Sequence, residues 1–227
     1  MAIAIDTTGK STNGTGTTHN FAYTATGLNI GMVVSIEVDA GSNTCTGVNW
    51  NTSEAMTQVD SVNVYDVVFM STWVLIGATA TSANVTATFS SAGPNHTITV
   101  GTYTGTDSGG STGGSDSHAT TTFSGAAADK TLSTTTIADN AWIVALVRAD
   151  SGSWGVGTNV TSRQTGGTNF IFGDTNGPIT PAGATNQTFT NSTGNPTGGI
   201  LSVGLKPLVA VGGVQRLPYL TTLGVGQ

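Results

Sequence analysis

Charge is scarce in this sequence. Lys and Arg number 6 and Asp and Glu 12, only 8% of the 227 residues, where soluble domains average ~25%. So few cations, with a net charge of −6, exclude binding of nucleic acid by neutralising its phosphates. Cysteine is nearly absent. Cys45 stands alone, so no intrachain disulfide exists and the residue is read as a small buried or half-buried side chain. No apolar run approaches the ~20 residues of a membrane helix; the longest stretches are of the order of Val67 to Met70. Met1 to Gly9 (MAIAIDTTG) lacks a basic start and an apolar core, so it is not read as a secretory signal, and synthesis in a cytoplasm is expected. There is no apolar stripe of helical period over ten residues or more.

What remains is a β pattern. Glycine is abundant, at 32 residues, and threonine, serine and asparagine fill much of the rest. Met32, Val34, Ile36 and Val38 alternate with Val33, Ser35, Glu37 and Asp39, the period of a strand. Val62 to Ile76 (VNVYDVVFMSTWVLI) and Ala141 to Val147 (AWIVALV) carry apolar residues on both faces, which predicts strands covered on both sides. Val85 to Phe89, Ile98 to Val100, Phe170 to Phe172 and Ile200 to Leu205 complete the set. Between them lie Gly, Asn, Ser and Pro clusters such as Gly9 to Gly16, Ser108 to Ser117 and Gly173 to Pro181, turn chemistry that tolerates positive φ. Short strands at this spacing predict an all-β, two-sheet antiparallel sandwich. No internal repeat is read from the sequence. Leu205-Lys206-Pro207 marks the end of the compact domain, because proline stops strand pairing away from an edge. The division is therefore a sandwich over 1–207 and an extended apolar arm over 208–227.

The order AIAID (Ala2 to Asp6), MVVSIEV (Met32 to Val38), Ala55-Met56-Thr57, the long aromatic run Val62 to Ile76, NVTATFS (Asn84 to Ser90), TYTGTD (Thr102 to Asp107), DNAWIVALV (Asp139 to Val147) and GLKP (Gly204 to Pro207) resembles jelly-roll-like β-sandwich domains of tailed-phage structural proteins, found also in bacterial surface proteins. The resemblance spans about residues 2–207. It implies a virion or surface scaffold role, and it carries no catalytic residue that could be transferred.

Chemistry is sparse. Phosphate loops, zinc motifs and serine-nucleophile motifs are missing, and neither a cofactor nor a catalytic residue is expected. Glu37 and Asp39 share one strand face, and two carboxylates are the minimum for glycoside hydrolysis; like charges on a solvated face are the commoner arrangement. Asp107 and Asp116 are weak calcium candidates, as hard cations take oxygen ligands. His118 lies beside Asp116, whereas His19 and His96 stand alone in sequence. Trp50, Trp73, Trp142 and Trp154 are the tryptophans; Trp73 and Trp142 fall in strands and belong to the core, and Trp154, between glycines, is the candidate for ligand contact. The sequons at Asn84 and Asn159 are chance products of a Thr- and Asn-rich chain.

The segment after Pro207 holds Val209, Val211, Val214, Arg216, Leu217, Tyr219, Leu220 and Leu223, a partner-binding set. Burying such a side chain gains ~1.5–3 kcal/mol, and ordering each residue's backbone costs ~1–2 kcal/mol. The arm is thus held weakly alone and strongly where a neighbour adds strand pairing. The expected protein is a non-enzymatic virion component, capsid decoration or minor capsid or tail protein, that binds copies of itself and a major capsid or tail protein. Nucleic acid and membrane are not expected partners. The alternative is a cell-surface binding module, adhesin or extracellular filament subunit with carbohydrate contact at Trp154.

Overall fold

The computed structural model describes residues 1–39, 42–64, 67–107, 115–167 and 169–209, without the side chains of 115 and 116. The described residues form strands and no helix. The first nine strands are β1 (Ala4–Lys10), β2 (Thr18–Thr24), β3 (Ile30–Val38), β4 (Cys45–Trp50), β5 (Glu54–Ala55), β6 (Thr57–Val64), β7 (Val68–Ala78), β8 (Ser82–Phe89) and β9 (His96–Thr104). They make a sheet of order β1-β9-β3-β7-β6 facing a sheet of order β2-β8-β4-β5. First strand pairs with last, second with next to last and third with seventh, all antiparallel. This is a long ribbon folded over on itself, the jelly-roll arrangement. Between its sheets Met32, Val34, Ile36, Trp50, Val85 and Ala87 pack as one core.

The remaining strands repeat that path. They are β10 (Ser115–Phe123), β11 (Lys130–Thr135), β12 (Trp142–Ala149), β13 (Trp154–Val156), β14 (Thr161–Thr165), β15 (Phe170–Asp174), β16 (Ala184–Asn191) and β17 (Gly198–Leu205). Their orders, β10-β17-β12-β15-β14 and β11-β16-β13, match the first half strand for strand; only β5 has no counterpart. The two-sheet antiparallel sandwich expected from the sequence is present, and it is present twice.

The duplication extends to irregularities. Each half has a bulge in its first strand, between Ile5 and Thr7 and between Ser115 and Ser117, with Asp6 and Asp116 as the extra residues. Each has another where β6 meets β7 and β14 meets β15, with Val59 and Arg163 as the extra residues. Asn29 and Asn140, immediately before β3 and before the residue preceding β12, both take positive φ. The reading that found no internal repeat is therefore corrected. With the strands aligned, residues 84–98 against 186–200 keep the same Asn, Thr, Thr, Ser, Pro and Ile (Asn84, Thr86, Thr88, Ser90, Pro94 and Ile98 against Asn186, Thr188, Thr190, Ser192, Pro196 and Ile200).

The two five-stranded sheets lie face to face. Val33, Met70, Val74 and Tyr103 from one half pack against Trp142, Val144, Leu146, Phe172 and Val203 from the other, so the molecule is a stack of four sheets. Equivalent positions exchange across this contact. Asp60 meets His118 at 3.2 Å, and the counterparts Gln164 and Thr8 bond at 3.0 Å. Glu37 and Arg148, themselves equivalent, meet each other at 3.5 Å. The halves are thus related by an approximate two-fold axis, and their contact has the self-complementary form of a symmetric dimer within one chain. Gly101 permits the close approach: a Cβ there would lie 2.9 Å from the Phe172 ring.

Two strand readings change. Val62 to Ile76 is not one strand; Val64 pairs with Val68 across a reversal, and the run divides between β6 and β7. Glu37 is not on a solvated face. The second sandwich covers that side of β3 and leaves Glu37 only 4% exposed.

Candidate assembly interface

The chain leaves the described structure at one end of the stack, and that exit is firmly fixed. Thr106 and Pro207 form an isolated bridge. Asp107 N–H donates to the Lys206 carbonyl at 2.9 Å and Leu208 N–H to the Gly105 carbonyl at 2.8 Å. The Met1 ammonium donates to the Leu208 carbonyl at 2.6 Å. Lys206 Nζ lies 3.7 Å from Asp107 Oδ2. Leu208 is therefore tied to the folded body by its backbone.

Around this exit the surface is apolar. A groove of about 570 Å³ is lined by Met1, Ile3, Trp142, Pro178, Pro207 and Val209 among others. Met1 is 63% and Val209 67% exposed. Leu28 and Ile137, on the β2–β3 and β11–β12 connections, are the most exposed large apolar side chains among the described residues. Both belong to the same end. The Leu28 carbonyl accepts from Gly105 N–H, and Ile137 precedes Ala138 of the groove wall. Grouped apolar exposure of this kind marks contact surfaces. Of the arm residues singled out in the sequence, only Val209 is described; Val211, Val214, Arg216, Leu217, Tyr219, Leu220 and Leu223 lie outside the described residues.

The other singled-out side chains fall elsewhere. Trp154 is half-buried, not projecting. Its ring packs 5.2 Å from Phe123 and its Nε1 donates to the Ser151 carbonyl at 3.0 Å. Trp50 is fully buried, and Trp73 and Trp142 are in the core. Asp107 pairs with Lys206 as above, Asp116 sits at the β10 bulge with its side chain outside the described residues, and the structure brings His118 to Asp60. Among the described residues no three His, Cys, Asp or Glu side chains come together as a metal-binding group. Cys45 is buried, and desolvation pushes its thiol up to about 12, which makes it inert as a nucleophile.

Two groupings were not legible in the sequence. Glu37, Asp39, Lys10, Arg148, Asn13 and Asn169 line a polar cleft between the sandwiches. Arg148 Nη2 donates to Asp39 Oδ1 at 2.7 Å. Among the described residues Glu37 Oε1 has no hydrogen-bond partner, and burial raises the Glu37 carboxyl to about 7, with Lys10 and Arg148 opposing the rise. The second grouping is His19 with His96, from strands far apart in sequence, their ring centroids 5.1 Å apart.

Comparison of the chain with family models, with curated proteins and with solved structures gives no match.

Proposed function

We propose that the chain is a non-enzymatic structural protein of a phage particle, assembling with its own copies and with a capsid or tail protein. The observation that supports this reading is the apolar end of the stack, where the exit of the chain is pinned by backbone bonds beside exposed Met1, Leu28, Ile137 and Val209. A doubled sandwich gives a rigid body, and the eighteen residues after Val209, rich in valine and leucine, give an apolar segment that a neighbour can cover. The acidic balance favours an outward position over one facing DNA.

The test is sedimentation of the native source on a density gradient with peptide mass spectrometry. Co-migration with DNA-filled particles at a fixed ratio to a major capsid protein supports the proposal; migration with envelope fragments or DNA-free filaments favours the surface-module alternative. A second expected outcome concerns the arm. A chain ending at Val209 keeps its circular dichroism spectrum and its melting temperature, while self-association or particle binding weakens by about tenfold or more, since each lost apolar contact is worth ~1.5–3 kcal/mol. Light scattering and particle pull-down read this out. Unfolding of the truncated chain would instead assign residues 210–227 to the chain's own core.

A further inference from the structure

His96 is 1% exposed; its ring has only a weak bond to the Pro94 backbone, and neither of its nitrogens nor His19 Nδ1 has a partner of good geometry among the described residues. A buried polar atom left unpaired costs ~1–3 kcal/mol, so three in one corner call for a ligand. Both rings crowd one glycine, with one nitrogen of each beside it. A Cβ on Gly14 would lie 2.7 Å from His19 Nδ1 and 2.8 Å from His96 Nε2. The lack of a side chain at Gly14 thus leaves room beside both nitrogens. Its backbone is fixed there by paired bonds, Gly14 N–H to the His96 carbonyl at 2.9 Å and His96 N–H to the Gly14 carbonyl at 3.0 Å. Phe89 stacks on His96 at 3.8 Å and holds its ring plane, while His19 is half-buried. Burial lowers the pKa of both histidines, and for His19 the neighbouring His96 adds to the effect. Both rings are therefore neutral near pH 7, the form that ligates metal.

The second sandwich shows that the fold does not need these histidines. By strand register their counterparts are Lys130 and Gly198, in a corner built on the same strand order. From this we infer that His19 and His96 form a two-histidine site for a borderline divalent transition ion, of the Zn²⁺ or Cu²⁺ class, with solvent completing the coordination. Imidazole suits these ions, and two nitrogens on separate strands clamp β2 to β9 across the sandwich.

The probe is Zn²⁺ on the full chain, followed by the imidazole nitrogen and proton NMR signals and by thermal melting. The expected result is that His19 and His96 signals move together at one equivalent while His118 does not, and that saturating Zn²⁺ raises the melting temperature by about 3 °C. Cu²⁺ is expected to give an electron paramagnetic resonance spectrum with two coordinated nitrogens. His19→Lys and His96→Gly, which copy the other half, and Gly14→Ala, which fills the space between the rings, each abolish the response. If Zn²⁺ leaves both histidine signals of the wild-type chain in place, the site does not exist, whatever the variants do. An equal melting shift in His19→Lys would likewise overturn it.

Discussion

Asp174→Ala destabilises the protein by about 3–5 kcal/mol, the largest expected effect of a single substitution at the contact between the two sandwiches. Asp174 is fully buried on β15. Its carboxylate accepts from Arg163 Nε at 2.8 Å and from Arg163 Nη2 at 2.9 Å, from the Tyr103 hydroxyl of the other sandwich at 3.1 Å and from Asn176 N–H at 2.9 Å. The variant leaves a mostly buried guanidinium without its counter-charge, and a fully buried phenol without its acceptor. Burial of the Tyr103 ring, and then the Asp174 carboxylate beside it, push the Tyr103 pKa well up, so the phenol stays protonated and needs that acceptor. Urea titration at pH 7 reads the loss. The duplication supplies the converse experiment, because the counterparts of Arg163 and Asp174 in the first sandwich are Val59 and Val74. The double variant Arg163→Val, Asp174→Val recovers most of the loss, and adding Tyr103→Phe recovers more, since an apolar replacement of a whole buried ionic group is often neutral or stabilising. A double variant as unstable as the single one would mean that the bonds hold the two sheets in register and are not merely tolerated there.

That comparison also explains what could and could not be read from the sequence. Alternation placed the apolar strands, because a sheet with one dry face has a period of two whatever it packs against, but it passed over the Thr-, Ser- and Asn-rich strands such as β10, β11 and β16, whose polar residues look like loop. The repeat escaped because the halves share orientation rather than identity. Val59 is matched by Arg163, Val74 by Asp174 and His19 by Lys130, and only the stretch from Asn84 to Ile98 keeps enough identical residues to be seen against Asn186 to Ile200. The fate of Glu37 was illegible for a related reason. Val33, Ser35 and Glu37 form a face of mixed polarity that a single sandwich would leave in water. Only a second sheet over a hundred residues away covers it, and the one local hint was the two-sided apolar run of Ala141 to Val147, which marks β12 as a strand with neighbours on both faces. The exposed Leu28 and Ile137 were missed because they sit in turns, where alternation says nothing. His19 and His96 meet only once β2 and β9 are assigned to opposite sheets.

Glu37 gives the other large effect, as a dependence on pH. Desolvation is the main cause of its rise from 4.5 to about 7; Lys10 and Arg148 pull the value down and Asp39 pushes it up. Between those two values the folded chain holds a proton on Glu37 that the unfolded chain has released. Stability therefore falls as pH rises from 4.5 to 7, and the loss is complete above 7. A change of that size corresponds to about 3 kcal/mol. Glu37→Gln keeps the shape and removes the charge, and Arg148 retains Asp39 at 2.7 Å. The variant is thus expected to match wild type at pH 4 and to exceed it by up to about 3 kcal/mol at pH 8. Denaturant titrations of both proteins across that range, taken as a difference, cancel every other titrating group. A difference that stays flat with pH would mean that Glu37 titrates alike in the folded and unfolded chains, the attraction of Arg148, at 3.5 Å from its Oε2, just offsetting the cost of burying the charge. A difference of opposite sign, with wild type the more stable at pH 8, would make this ion pair a net contributor to the union of the two sandwiches.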